Sequence, residues 1–165
     1  MSNRGAGHAS DADAFAESIG PAPKRRGCSS RLRLETAIVE LTRVFPDGAP
    51  TAGFAERHLV ALYARLHEQI YGAKAGELAE GKSFLAACSS ASKLVRDEMR
   101  GSFGEAVEYL RWTWRRERFV EQKRRANGET GRRIGWRLQF ASAGLLTDYR
   151  VDAARHAETG PARRA

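Results

Sequence analysis

Apolar residues recur at three- and four-residue spacing through most of the chain, the period of helices that bury one side. Leu34, Ile38, Leu41 and Phe45 form the first such run, with Ser29 or Ser30 as N-cap and Pro46-Asp47-Gly48 as a stop. A second run, Leu59, Leu62, Tyr63, Leu66 and Ile70, is capped by Thr51 in this reading and ends at Tyr71-Gly72. Residues 72–82 are small and polar and predict a loop or a weak helical turn. A third helix is expected over residues 83–99, with Phe84, Cys88, Ala91, Val95 and Met99 facing inward.

Gly101 ends that helix and Ser102 opens the next, with Glu105 three residues on in the arrangement of a capping box. The fourth helix, residues 104–127, organises the rest. Phe103, Val107, Leu110 and Trp114 share its core face, while Arg111, Arg115 and Arg118 share an adjoining one, and Lys123, Arg124 and Arg125 extend the charge to Asn127-Gly128.

Beyond the glycine-containing loop the period shortens to two. Ile134, Trp136, Leu138 and Phe140 alternate with Arg133, Gly135, Arg137 and Gln139, as in a half-buried strand, and residues 145–151 can return as a second strand. The intervening Ala-Ser-Ala-Gly lacks the Asn-Gly or Asp-Gly of a tight hairpin, so the same residues are also compatible with a helix start. The expected architecture is mainly α: a four-helix domain over residues 29–152 with a small C-terminal β-hairpin, winged-helix-like. A disordered tail over residues 1–28 ends in Lys24-Arg25-Arg26, and residues 153–165 fray.

Charge sharpens this picture. The chain of 165 residues has a net charge of +8, and its mean hydropathy is -0.52. Residues 100–165 carry fifteen basic and eight acidic groups, whereas residues 36–99 carry seven and eight. Such segregation marks a binding surface for polyanions more than general solubilisation. Cys28 and Cys88 belong to no CxxC pair, and no apolar run approaches the ~18 residues of a membrane span, so a reduced cytoplasmic setting without membrane attachment is expected.

Catalytic and metal chemistry find little foothold. His8, His58, His67 and His156 show no i, i+4 pair, and Gly81-Lys82-Ser83 is a fragment of a phosphate loop without its upstream glycine. Glu105, Glu108, Asp148 and Asp152 could hold Mg2+ for a nuclease, but capping and salt bridges to neighbouring arginines explain them. No catalytic residue, metal or cofactor is therefore expected.

The arginine stripe carries the functional expectation. A guanidinium binds phosphate through a planar fork, so Arg111, Arg115, Arg118, Lys123, Arg124 and Arg125, with Arg133 and Arg137 from the strand, are expected to contact nucleic acid, most simply double-stranded DNA. Helical spacing pairs Glu108 with Arg111 and Glu121 with Arg125, and Glu117 is paired with its sequence neighbour Arg118, which moderates the charge without cancelling it. Trp112, off the core stripe, is available to stack on a base or to pack as core from a second contact. The alternative is an interaction module or inhibitor whose basic face grips an acidic protein such as a polymerase, helicase or nuclease.

The run LVALYARLHEQIYG, followed by the GK-containing segment, the Trp-rich helix and RIGWRLQFASAGLLTDYRV, resembles helical domains of phage and plasmid replication or replisome-organiser proteins over residues 55–151. The resemblance implies DNA binding or helicase recruitment in replication or transcription control.

Overall fold

The computed structural model describes residues 30–131 and 133–158. Among these residues seven α-helices follow one another: α1 (Ser30–Val44), α2 (Glu56–Tyr71), the single turn α3 (Gly76–Ala79), α4 (Ser83–Lys93), α5 (Phe103–Ala126), α6 (Trp136–Ala141) and α7 (Ala143–Glu158). A 3-10 turn at Pro46–Gly48 leaves α1, and a π-turn at Leu94–Glu98 extends α4. The tail expected over residues 1–28 lies outside the described residues.

α2 is the central strut. Seven of its residues from His58 to Ala64 are buried, and it packs against α1, α4 and α5. Such a helix must be covered on most sides, and α1, α3 and α4 together close one flank while α5 closes another. One hydrophobic cluster draws on every helix, from Leu34 and Leu41 of α1 to Trp136 and Phe140 of α6 and Leu146 of α7. Each large side chain taken fully from water, Leu59 or Leu78 for instance, stabilises the fold by about 1.5–3 kcal/mol.

Helix starts follow from local hydrogen bonding. Ser102 caps α5 by accepting the Glu105 amide at 3.1 Å, as its sequence predicts. Thr51 does not cap α2: its hydroxyl donates to the Val44 carbonyl, and the imidazole of His58 instead accepts the Ala55 amide at 2.9 Å. His58 is completely buried and its other ring nitrogen meets Glu40 at 2.9 Å, so α1 and α2 are tied at the cap itself.

No strand occurs among the described residues, and the winged-helix hairpin is replaced by α6 and α7. Trp136, Gln139 and Phe140 are buried whereas Leu138 is exposed, so burial follows i, i+3, i+4 and not every second residue. The buried position at Gln139 is polar, which hid the helical period behind an accidental alternation of apolar residues. Ala141 to Gly144 does interrupt the chain, but Ser142 accepts the Leu145 amide and starts another helix. α7 then continues to Glu158, past the point where fraying was expected.

Candidate nucleic-acid interface

α5 carries six of the eight basic residues singled out in the sequence, and its neighbours sort them. Val107, Leu110 and Trp114 enter the core as expected, joined by Ala106, Tyr109 and Thr113. In the second half of the helix two carboxylates also turn inward, Glu117 at 6% and Glu121 at 9% exposure. Burying a carboxylate is costly unless donors meet it. The Tyr71 hydroxyl of α2 donates to Glu117 at 2.5 Å, and Arg125 donates to Glu121 at 2.9 Å. Glu117 therefore serves Tyr71, not the neighbouring Arg118 with which the sequence pairs it. The outward face from residue 115 to 123 is left with Arg115, Arg116, Arg118, Phe119, Gln122 and Lys123, and no acidic side chain of its own.

Arg111 has a structural post at the base of this face. It pairs with Glu108 at 2.6 Å, donates to the Gly48 carbonyl and lies 5.6 Å over the Phe45 ring. Gly48 sits at φ +77°, and a Cβ there would come within 2.7 Å of the Arg111 guanidinium, so glycine permits both the turn and the contact.

Arg115 and Arg118 are exposed, and neither has a carboxylate partner among the described residues. With Arg111 they line a groove of about 220 Å³ between α2 and α5, floored by Leu66, Ile70 and Trp114 and edged by Gln69. Arg125 ties α5 to α2 by donating to the Ile70 carbonyl at 2.7 Å. Lys123 extends the charge by a different route, its ammonium 4.5 Å from the ring of Phe119, which is 57% exposed.

The remaining predicted contacts fall elsewhere. Arg124 is turned toward Glu129 at 3.1 Å and is largely covered. Arg133 lines a separate pocket of about 150 Å³ with Tyr63, His67 and Glu77, and Arg137 lies over Trp136 on α6. Burial is the main force holding the His67 imidazole below its ordinary pKa, opposed by the Ala73 carbonyl, and burial raises the Tyr63 and Tyr71 hydroxyls.

No family model, curated protein or solved structure matches this chain. Function is accordingly read from the geometry of these side chains.

Trp112 is not open to a base. Its indole nitrogen donates to Asp152 at 3.1 Å, its ring packs on Tyr149, and Arg116 lies 4.8 Å above it. Arg116 also pairs with Asp148 at 2.8 Å, so α7 is docked on α5 through Trp112 and a salt bridge of the kind the sequence predicts for its acidic residues. Glu108, Asp148 and Asp152 each answer a different donor, and the described residues contain no group of three His, Cys, Asp or Glu able to hold a metal ion. Cys88 is half-buried, and burial pushes its thiol up to about 11, far from the reactive range. No described helix is long and apolar enough to cross a membrane.

Sequence reasoning passed over Leu66, Gln69 and Ile70. Leu66 and Ile70 carry the core signature, and only the crossing of α2 on α5 leaves their edges lining a groove.

Proposed function

We propose that this protein binds nucleic acid without catalysing a reaction, through the outward face of the second half of α5. One observation carries the reading: Glu117 and Glu121 are drawn into the fold, so Arg115, Arg118 and Lys123 face solvent without competing carboxylates on their own surface. α5 spans 24 residues, roughly 36 Å at 1.5 Å per residue, long enough to follow several phosphates. Contact comes from the helix face, since no wing accompanies it among the described residues. Replication or transcription control in a phage or mobile element is added to this reading by the sequence resemblance only.

Fluorescence anisotropy with a labelled oligonucleotide across a salt series tests it. Arg115→Ala/Arg118→Ala should lower affinity and reduce the slope of log K against log[salt] by about 1.4–1.8, with the melting temperature unchanged. Absence of binding at about 50 mM salt, where phosphate contacts are strong, sinks the proposal. A second reading, a module for an acidic protein such as a polymerase, helicase or nuclease, draws support from the apolar floor beside the arginines. Retention of one stoichiometric protein from nuclease-treated lysate would favour it.

A further inference from the structure

We infer that the groove between α2 and α5 receives an unpaired base, which makes single-stranded nucleic acid the substrate class of the basic face. The inference rests on the nucleic-acid reading above and adds the strandedness.

Charge alone would suit any polyanion, but the groove adds shape and polarity. Its floor is apolar, built from Leu66, Ile70 and the indole of Trp114, and its volume of about 220 Å³ suits one ring system. Within a duplex the base faces are stacked on one another and cannot reach such a floor, whereas a single strand can splay a base out and bury a face. Arg115 and Arg118 stand on the rim, placed to take the phosphates on either side of an inserted base. Gln69, also on the rim, offers an amide with both donors and an acceptor to a base edge.

A second platform lies one turn along α5. Phe119 is the most exposed aromatic ring of the described residues that carries a cation, with Lys123 4.5 Å from its centroid, so a neighbouring base can stack there while the ammonium meets its phosphate. An amphipathic peptide helix is a poorer fit, because it docks through anchors at i, i+3, i+4 and i+7 and needs a longer trough than one ring-sized groove.

The test compares a single-stranded oligonucleotide of mixed sequence with a duplex carrying the same number of phosphates, using the full chain and two variants. Phe119→Ala removes the platform, and Ile70→Trp fills the groove from its half-buried edge; far-UV circular dichroism and melting establish that each is folded. The wild type should prefer the single strand by about tenfold or more, and each variant should lose about five- to one-hundred-fold in single-strand affinity while duplex affinity stays within about twofold. Equal affinity for the two forms, or equal loss on both in the variants, overturns the inference while leaving nucleic-acid binding intact. Binding of neither form at low salt removes the nucleic-acid reading itself. Single-strand affinity that survives Ile70→Trp, with loss of an acidic phenylalanine-containing peptide, would assign the groove to a protein and also overturn it.

Discussion

Tyr71→Phe should be among the most damaging single-atom deletions in the molecule. The Tyr71 hydroxyl donates to the buried Glu117 carboxylate at 2.5 Å and accepts the Ile134 amide at 3.0 Å, while Tyr63 donates to the Ile134 carbonyl at 2.7 Å. Two tyrosines of α2 thus hold the segment after α5 against the core by both of Ile134's backbone groups. Removing one oxygen takes a donor from a carboxylate that is 6% exposed and an acceptor from a backbone amide. A hydrogen bond to a charged group contributes about 1.5–3 kcal/mol and an unpaired amide costs about 1–3 kcal/mol, so with partial relaxation the loss is about 3–4 kcal/mol. At about 2–4 °C per kcal/mol for a chain of this size, the melting temperature should fall by about 6–16 °C, read by circular dichroism at pH 7. Tyr71→Phe/Glu117→Leu should melt higher than Tyr71→Phe, because removing both partners leaves no unsatisfied charge. A shift under about 2 °C, or a double variant that melts lower than the single one, would refute the reasoning.

Four further outcomes are expected. Trp112→Ala strips α7 of one of the two rings that hold Tyr149 and of the bond to Asp152, at a cost of about 3–5 kcal/mol, so amide exchange over residues 143–158 should accelerate before that of α2. Burial depresses the His67 pKa from 6.5, so as pH falls the unfolded chain takes that proton first; stability is full above about 6.5, declines below it, and the decline should flatten in His67→Phe. Glu40 is held low by Arg57 and His58, so its contribution fades only below about 4.5, a separate window in the same titration of unfolding free energy. Gly48→Ala forces an L-residue to φ +77° and crowds the Arg111 guanidinium, and urea denaturation should show about 1–2 kcal/mol lost.

Much of the fold was legible in the residues. The stripes of α1 and α2 and the Ser102 cap of α5 are local signals, and each is where its sequence predicts. The hairpin failed because residues 133–140 are too short for periodicity to decide, and a buried glutamine broke the helical pattern at the position that mattered. Gln139 is completely buried with neither end of its amide hydrogen-bonded, a placement that its residue type argues against. The cap of α2 was misread for a related reason: His58 performs it from inside the helix, using a ring nitrogen whose partner on the other side is Glu40.

The candidate site divides in the same way. Helical spacing placed Arg111, Arg115 and Arg118 together, and the structure lines one groove with them. Glu117 also lies next to Arg118 in sequence, yet a hydroxyl 46 residues earlier in the chain claims that carboxylate. Trp112 is likewise occupied by Asp152 and Tyr149, 40 and 37 residues later.

By itself the sequence determined the helical class, the long basic helix and which of its faces is apolar, because periodicity and capping act over a single turn. Only the tertiary structure decided which charges α5 shows to solvent. That choice depends on a donor from α2 and on acceptors from α7, and no local pattern encodes which distant side chain will satisfy a carboxylate or cover an indole.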